Sequence, residues 1–193
     1  TFIRLEADMA IRRIVKYGES ILNKKTQKID YKEMKNELDN IITDMFDTLN
    51  FVHGVGLSAN QVGLDMQLSV ISIENKEEKK SYNIVIINPQ IVSYGGEIIE
   101  EDEVCLSFPG LFIKVKRHTS VVVRALNQKG IPIEIKASGL LAKALQHEID
   151  HLNGITFIKR IPIAQRLKLK PTLLKLKKQW KAIDESKMKP EVM

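Results

Sequence analysis

The spacing of hydrophobic positions changes along this chain, and the change predicts the order of its elements. Between residues 34 and 49, apolar side chains recur every three or four positions, as on one face of an amphipathic helix. Asp30 and Glu33 add a capping-box signature at its start. We assign the methionines of this face to the core. The apolar positions are Met34, Leu38, Ile41, Ile42, Met45, Phe46 and Leu49.

The middle of the chain has the pattern of β-strands. Apolar, β-branched runs occupy residues 68–73, 83–92, 119–126 and 131–135. The charged stretch 74–80 predicts a solvated hairpin or loop. Because helical segments precede and follow these runs, we predict an α+β fold. It would consist of antiparallel β-sheets around a central helix, with an N-terminal amphipathic helix and a basic C-terminal helix.

The predicted central helix covers residues 140–154. Ser138 offers an N-cap hydroxyl, and Gly154 offers a left-handed C-cap. No proline interrupts the segment between them, which therefore favours a continuous helix.

This helix carries the motif H-E-x-x-H. His147 and His151 are four residues apart, so both imidazoles lie on one helix face, where one metal ion can bind both. Glu148 projects beside that ion and could take a proton from a bound water, whose pKa a metal lowers to roughly 7. The motif alone leaves a solvated His pair as an equal alternative. A catalytic site generally has three protein ligands, and the single cysteine, Cys105, is a candidate for the third.

Composition describes an ordinary globular protein. With 193 residues, 44% of them hydrophobic and 28% charged, we expect one domain over residues 1–193. Residues 1–8 lack a pattern and are interpreted as a tail. No apolar run reaches the roughly 20 residues of a membrane span, and no signal peptide is evident. A single cysteine forms no intrachain disulfide, which indicates a reducing, intracellular compartment.

Residues 54–63 satisfy the pattern G-x-G-x-x-A, which is also found in dinucleotide-binding loops. Such a loop would follow a strand and open a helix, whereas here a helix precedes it and a strand follows. We therefore reject a nucleotide site. The glycines suit a backbone that lies close to a ligand, and Gln61 offers an amide donor there.

Three segments together resemble the peptide deformylase family. The family motif G-φ-G-φ-A-A-P-Q is similar to residues 54–61, and its motif E-G-C-L-S is similar to residues 103–107. Its third motif, Q-H-E-x-D-H-L-x-G, matches residues 146–154 completely. Order and spacing also agree, so the resemblance covers roughly residues 11–161.

The chain departs from the family motifs at three positions. Ser58 replaces an alanine, and Asn60 replaces a proline that would restrain the backbone before Gln61. Val104 replaces a glycine; it would be strained if that position required a positive φ, but it would suit an extended segment. None of the three is a ligand or an acid–base group.

The resemblance implies removal of the N-formyl group from the formyl-methionine that begins new polypeptides in bacteria and organelles. Formate and a free amine would be released. Glu148 would move the proton, while the Leu106 backbone N–H and the Gln61 amide would stabilise the oxyanion. The implied metal ligands are Cys105, His147 and His151.

The resemblance also implies Fe2+ as the cellular metal, although the same ligands would accept Zn2+, Ni2+ or Co2+. We expect a monomer in the bacterial cytoplasm or an organelle interior. The candidate lining of the substrate-methionine pocket is Val55, Gly56, Phe112, Ala144 and the His147 ring.

Two other classes stay open at this stage. A zincin-type peptidase shares H-E-x-x-H but usually takes a downstream Glu or His as third ligand, and after His151 this chain has no His and no Glu before Glu185. A binding module with a structural metal would need a closed set of four ligands. Near the site, we expect Arg117 to pair with Asp150 and so to orient the ligands from outside.

Positive charge is concentrated at the C-terminus. Residues 159–193 contain 11 Lys and Arg against three acids, while the whole chain has a net charge of +6. Pro171 suits a first helical turn within a basic helix and tail over residues 163–193. The predicted apolar stripe of this helix is Leu173, Leu176, Trp180 and Ile183.

Two interpretations of this basic helix have equal weight. The stripe could dock on the catalytic domain, with the lysines merely solvated. Alternatively, exposed lysines could hold the enzyme near ribosomal RNA, since phosphate contacts give salt-sensitive affinity. A membrane surface would attract the same helix, but the implied substrate favours the ribosome.

Overall fold

A computed structural model describes residues 11–75 and 80–182. The predicted tail, residues 1–8, and four residues of the predicted charged loop lie outside these ranges. None of the helices described is long and apolar enough to cross a membrane. The main elements are α1 (Tyr31–Phe51), β1 (Gly56–Ser58), β2 (Leu68–Asn75), β3 (Lys80–Glu103), β4 (Ile113–Leu126), β5 (Pro132–Ser138), α2 (Gly139–Leu152) and α3 (Ile163–Ala182).

The five strands form one antiparallel sheet in the order β1-β2-β3-β4-β5. The predicted α+β class is confirmed, although the described residues form a single sheet where we expected several. Each strand pairs with its neighbour in sequence, which makes the sheet a meander.

The 24 residues of β3 far exceed the predicted run 83–92. Three register shifts interrupt its pairing with β4. Its second half is rich in glycine and acidic residues, so no hydrophobic pattern predicted a strand there.

Strand β2 and the first half of β3 are buried on both faces, by α1 on one side and α2 on the other. Val70 of β2 and its partner Val85 of β3 belong to the core cluster that includes α1. Their neighbours Ile71 and Ile86 belong to the cluster that includes α2. Because successive side chains of a strand point to opposite faces, the continuous apolar runs of β2 and β3 follow from this double burial.

Helix caps agree in part with the prediction. The Asp30 side chain accepts a hydrogen bond from the Lys32 N–H at the start of α1. Gly154 follows α2 with φ of 69°, in the predicted left-handed conformation. Ser138 occupies the N-cap position of α2, but its side chain makes no capping hydrogen bond.

Helix α3 begins at Ile163, so the prediction of Pro171 in a first turn is wrong, and this proline lies inside the helix. Leu173 is buried in a core cluster with Phe108 and Phe157. This contact confirms that α3 docks on the rest of the chain. Of the other predicted stripe residues, Leu176 and Trp180 are partly exposed, and Ile183 lies outside the described residues.

Candidate metal centre

Three predicted ligand atoms converge between the end of β3 and helix α2. The Nε2 atom of His151 lies 3.2 Å from Cys105 Sγ and 3.2 Å from His147 Nε2. All three ligand atoms lie within 4.8 Å of one another. Atoms bound to one tetrahedral ion at about 2.0–2.3 Å are separated by distances of this order. The residues therefore fit a single metal ion.

The two candidate histidine ligands differ in their pKa shifts. Burial, followed by nearby His147 and Arg117, lowers the pKa of His151 well below its usual value, so its imidazole is in the neutral form that binds metals. Burial opposes a charge on His147, but its contacts with Cys105 and Glu103 raise its pKa well above the usual value. In the metal-free site, Cys105 and Glu103 thus favour a positive charge on His147, whereas the pKa of His151 favours its neutral form.

A buried ionic network orients the first histidine. Glu103 Oε2 lies 3.0 Å from His147 Nδ1, which leaves Nε2 for the ion. Arg117 donates to Glu103 at 2.7 Å and to Asp150 at 2.6 Å, so the predicted Arg117–Asp150 pair is confirmed. Arg160 Nε also donates to Asp150 Oδ2, at 2.8 Å. Burial raises the pKa of Glu103, but the bonds from His147 and Arg117 outweigh it and lower the pKa to about 2.

Sequence reasoning did not assign Glu103 this role. The available signal was that Glu103 lies in the second motif, two residues before the candidate ligand Cys105. The contact with His147 joins residues 44 positions apart, so only the fold reveals it.

Glu148 lies beside the three ligands, as its position after His147 predicts. It is buried, and burial raises the pKa of its carboxyl. The Ser58 hydroxyl donates to Glu148 Oε2 at 2.6 Å. A Cβ added to Gly56 would clash with Glu148 Oε1, so the absence of a side chain at Gly56 makes room for the carboxylate.

A cavity of about 280 Å³ opens beside these groups. Phe112 is not among its lining residues and is 71% exposed, so the geometry gives no support to its predicted role in the substrate pocket. His151 belongs to the ligand cluster but does not line the cavity. The other predicted site residues all line it: Val55, Gly56, Gln61, Cys105, Leu106, Ala144, His147 and Glu148. Four further lining residues carry no sequence motif that predicts them: His53, Asp102, Leu140 and Lys143.

Gln61 is held by its own local turn. Its Oε1 accepts the Ser58 N–H at 2.9 Å, across the turn Ala59–Val62. This bond leaves its Nε2 pointing toward Cys105 Sγ at 3.6 Å and Ser107 Oγ at 3.4 Å. The amide donor therefore lies beside the ligand cluster, where the predicted oxyanion role needs it.

The unusual residues Asn60 and Val104 are both accommodated. Asn60 is fully buried, and its Nδ2 donates to the His151 carbonyl at 2.6 Å. Among the non-glycine residues described, only His53 and Asn88 have a positive φ. Val104 is therefore free of the strain considered above, and its half-exposed side chain lines the cavity.

A cysteine and two histidines converging beside a buried glutamate, at the wall of an open cavity, define a metal-dependent hydrolase. A sequence model described as polypeptide deformylase matches residues 11–167. The chain belongs to this family of metal-dependent amide hydrolases, which removes N-formyl groups from nascent peptides. Membership decides against the zincin-type peptidase and the purely structural metal site.

Relatives and solved structures agree with this assignment. A peptide deformylase from Elusimicrobium minutum is 49% identical over 176 residues, which cover 89% of this chain and 99% of that protein. The crystal structure of a peptide deformylase from Legionella pneumophila has a TM-score of 0.78 and 39% identity, and covers 91% of this chain and 100% of that one. A Met-Ala-Ser bound class I type b peptide deformylase from Acinetobacter baumannii has a TM-score of 0.73 and 31% identity, and covers 79% and 99%.

Proposed function

We propose that the chain hydrolyses the formyl amide of peptides that begin with N-formyl-methionine and releases formate. The observation that carries the proposal is the convergence of three metal-binding side chains with Glu148 on one cavity. The Acinetobacter baumannii relative binds Met-Ala-Ser, a peptide that begins with methionine, as the deformylated product would. Val55, Gly56 and Ala144 supply a small, mostly apolar wall for the methionine side chain.

The chain's own groups account for the proton transfers and the developing charge. When bound by Cys105, His147 and His151, the ion supplies Lewis acidity that activates water and polarises the formyl carbonyl. Glu148 accepts the proton of the attacking water as the new C–O bond forms. It then delivers this proton to the amine nitrogen as the C–N bond breaks. Gln61 Nε2 and the Leu106 N–H donate to the oxyanion.

We propose Fe2+ as the ion used in the cell, with Zn2+, Ni2+ or Co2+ accepted by the purified protein. Sulfur with two imidazole nitrogens suits all of these ions, so affinity alone does not select among them. Absorption of Co2+-loaded protein tests the ligand set, because thiolate coordination adds a charge-transfer band. Cys105→Ala should remove this band; an unchanged spectrum would exclude the sulfur ligand.

Formate release from formyl-Met-Ala-Ser, compared with cleavage of an internal peptide bond in an unformylated peptide, tests the activity. We expect formate from the first substrate and no cleavage of the second. Glu148→Gln should retain the metal and lose about 100- to 10,000-fold in rate, as general bases commonly do. Wild-type activity in a fully metallated Glu148→Gln protein would contradict the assigned role.

We further propose that the enzyme works where nascent chains emerge, in the bacterial cytoplasm or an organelle interior. Four lysines of α3 are exposed and could contact ribosomal RNA while Leu173 keeps the helix docked. These lysines are Lys168, Lys170, Lys175 and Lys178.

A further inference from the structure

The hydroxyl of Ser58 is completely buried and lies against the glutamate of the H-E-x-x-H motif. Ser58 Oγ is 2.6 Å from Glu148 Oε2, 3.0 Å from the Glu148 carbonyl and 2.8 Å from Ser69 Oγ. Ser58 and Ser69 are register partners on β1 and β2. Ser69 alternates with the buried Val70 and so points to the sheet face covered by α2. Strands β1 and β2 therefore present the hydroxyls of Ser58 and Ser69 to α2 beside Glu148.

The direction of these hydrogen bonds follows from the number of available hydrogens. A hydroxyl has one hydrogen and can also accept, whereas a carboxylate and a carbonyl only accept. The shortest contact of Ser58, at 2.6 Å, has the length of a charge-assisted O–H···O⁻ bond. Ser58 therefore gives its hydrogen to Glu148 Oε2, and Ser69 can donate to Ser58 in turn.

This bond distinguishes the two oxygens of the glutamate. Oε2 is occupied by Ser58, while Oε1 lies beside the bare backbone of Gly56, a cavity-lining residue. Oε1 is therefore the carboxylate oxygen that lies beside the cavity wall, where it can take a proton from the cavity. A carboxylate with one oxygen fixed has lost rotation about its last bond, which is the kind of pre-organisation that proton transfer requires.

We propose that Ser58, supported by Ser69, is a positioning residue that fixes the Glu148 carboxylate so that Oε1 carries the transferred proton. The inference rests on the proposed function of Glu148. It gives a physical role to one of the positions at which this chain departs from the family motif. Ser58 acts through Glu148 and does not itself line the cavity.

Steady-state kinetics of Ser58→Ala in the metallated enzyme test the proposal. The family motif has alanine at this position, so the backbone accommodates the change. We expect kcat to fall about tenfold, the lower end of the usual loss for groups that orient a metal site from outside. We expect KM to change by less than about twofold, because substrate binding is untouched. Metal content and the Co2+ spectrum should equal those of the wild type, and Ser58→Thr, which keeps the hydroxyl, should recover most of kcat.

Thr48→Val is the matched control for loss of a buried hydroxyl. Thr48 is fully buried on α1 and bonds the Arg12 N–H and the Asp44 carbonyl, away from the site. This variant should lose stability and keep kcat. An unchanged kcat in Ser58→Ala, a loss confined to KM, or an equal kcat loss in Thr48→Val would overturn the proposal.

A double-mutant cycle provides a readout that does not depend on activity. Urea unfolding of Ser58→Ala, Glu148→Gln and the double variant should show non-additive free energies, because the two side chains are in direct contact. Additive free energies would show that Ser58 and Glu148 do not interact, which would refute the proposal. Absence of formate release by the wild type would refute the proposed function, whereas the unfolding cycle would still show whether Ser58 holds Glu148.

Discussion

At the scale of single residues, Asn60 connects the turn Ala59–Val62 to the candidate metal ligand His151, which lies 91 positions away. Its Nδ2 donates to the carbonyl of His151, and no solvent reaches the contact. A proline at this position, as in the family motif, could not make this bond. Asn60 lacks the fixed φ of proline, but its hydrogen bond attaches this turn directly to the last turn of α2.

We predict that Asn60→Ala lowers the free energy of unfolding by about 0.5–1.5 kcal/mol, because the buried His151 carbonyl loses its side-chain donor and keeps only the backbone donor Gly154 N–H. Metal retention should fall as well. Urea unfolding and metal analysis after dialysis measure the two effects. Asn153→Ala is the control: its Nδ2 also bonds an α2 carbonyl, that of Ile149, but Asn153 is exposed. Equal losses in both variants would refute a special role for Asn60.

Glu103 predicts a pH-dependent contribution to stability in the metal-free protein. Its pKa is lowered from 4.5 to about 2 in the fold, where hydrogen bonds from His147 and Arg117 outweigh the raising effect of burial. A carboxyl with a lowered folded-state pKa stabilises the fold above pH 4.5, and this stabilisation is lost as the pH falls toward 2. Glu103→Gln should therefore lower the free energy of unfolding by about 3 kcal/mol at pH 7, with a difference that shrinks below pH 4.5.

Urea unfolding of chelator-treated proteins between pH 7 and pH 3 measures this difference. Glu134→Gln serves as the control, since Glu134 forms only an exposed ion pair with Arg124 and should contribute less than about 1 kcal/mol. A Glu103→Gln difference that stays constant across this range would contradict the assignment.

At the scale of elements, the hydrophobic pattern predicted the helices α1 and α2 but not the full length of β3. Helices α1 and α2 follow from apolar spacing, and the candidate ligands on α2 follow from H-E-x-x-H. The second half of β3 was missed because its pairing with β4, and not its own composition, holds it in the sheet. The roles of Ser58 and Asn60 toward α2 depend on contacts across about 90 residues, which no local pattern encodes.

Local sequence also misplaced the start of α3. Pro171 predicted a first helical turn, but it lies inside the helix. Packing of Leu173 against the core sustains the helix through Pro171. We predict that Leu173→Ala lowers the free energy of unfolding by about 2–5 kcal/mol, the usual range for a buried leucine. The adjacent Leu174 is half-exposed, so Leu174→Ala should cost much less. Equal, small effects in urea unfolding would show that α3 does not dock in solution.

At the scale of the whole molecule, the docked helix determines how ribosome binding should be tested. Deleting the chain after Pro162 would also remove Leu173 from the core, so lost binding could reflect lost folding. Charge reversal of exposed lysines avoids this problem. The test variant combines Lys168→Glu, Lys170→Glu and Lys175→Glu, and the control combines Lys25→Glu, Lys28→Glu and Lys35→Glu, all at exposed positions.

We predict that the α3 variant loses sedimentation with ribosomes while its peptide deformylation stays near wild type. The control carries the same change in net charge and should still bind, because it leaves the α3 lysines in place. Binding by the wild type should weaken steeply with added salt, since lysine–phosphate contacts release counterions. Sedimentation with anionic vesicles but not with ribosomes would identify a membrane surface as the partner. Equal ribosome binding by the two triple variants would show that α3 is not the contact surface.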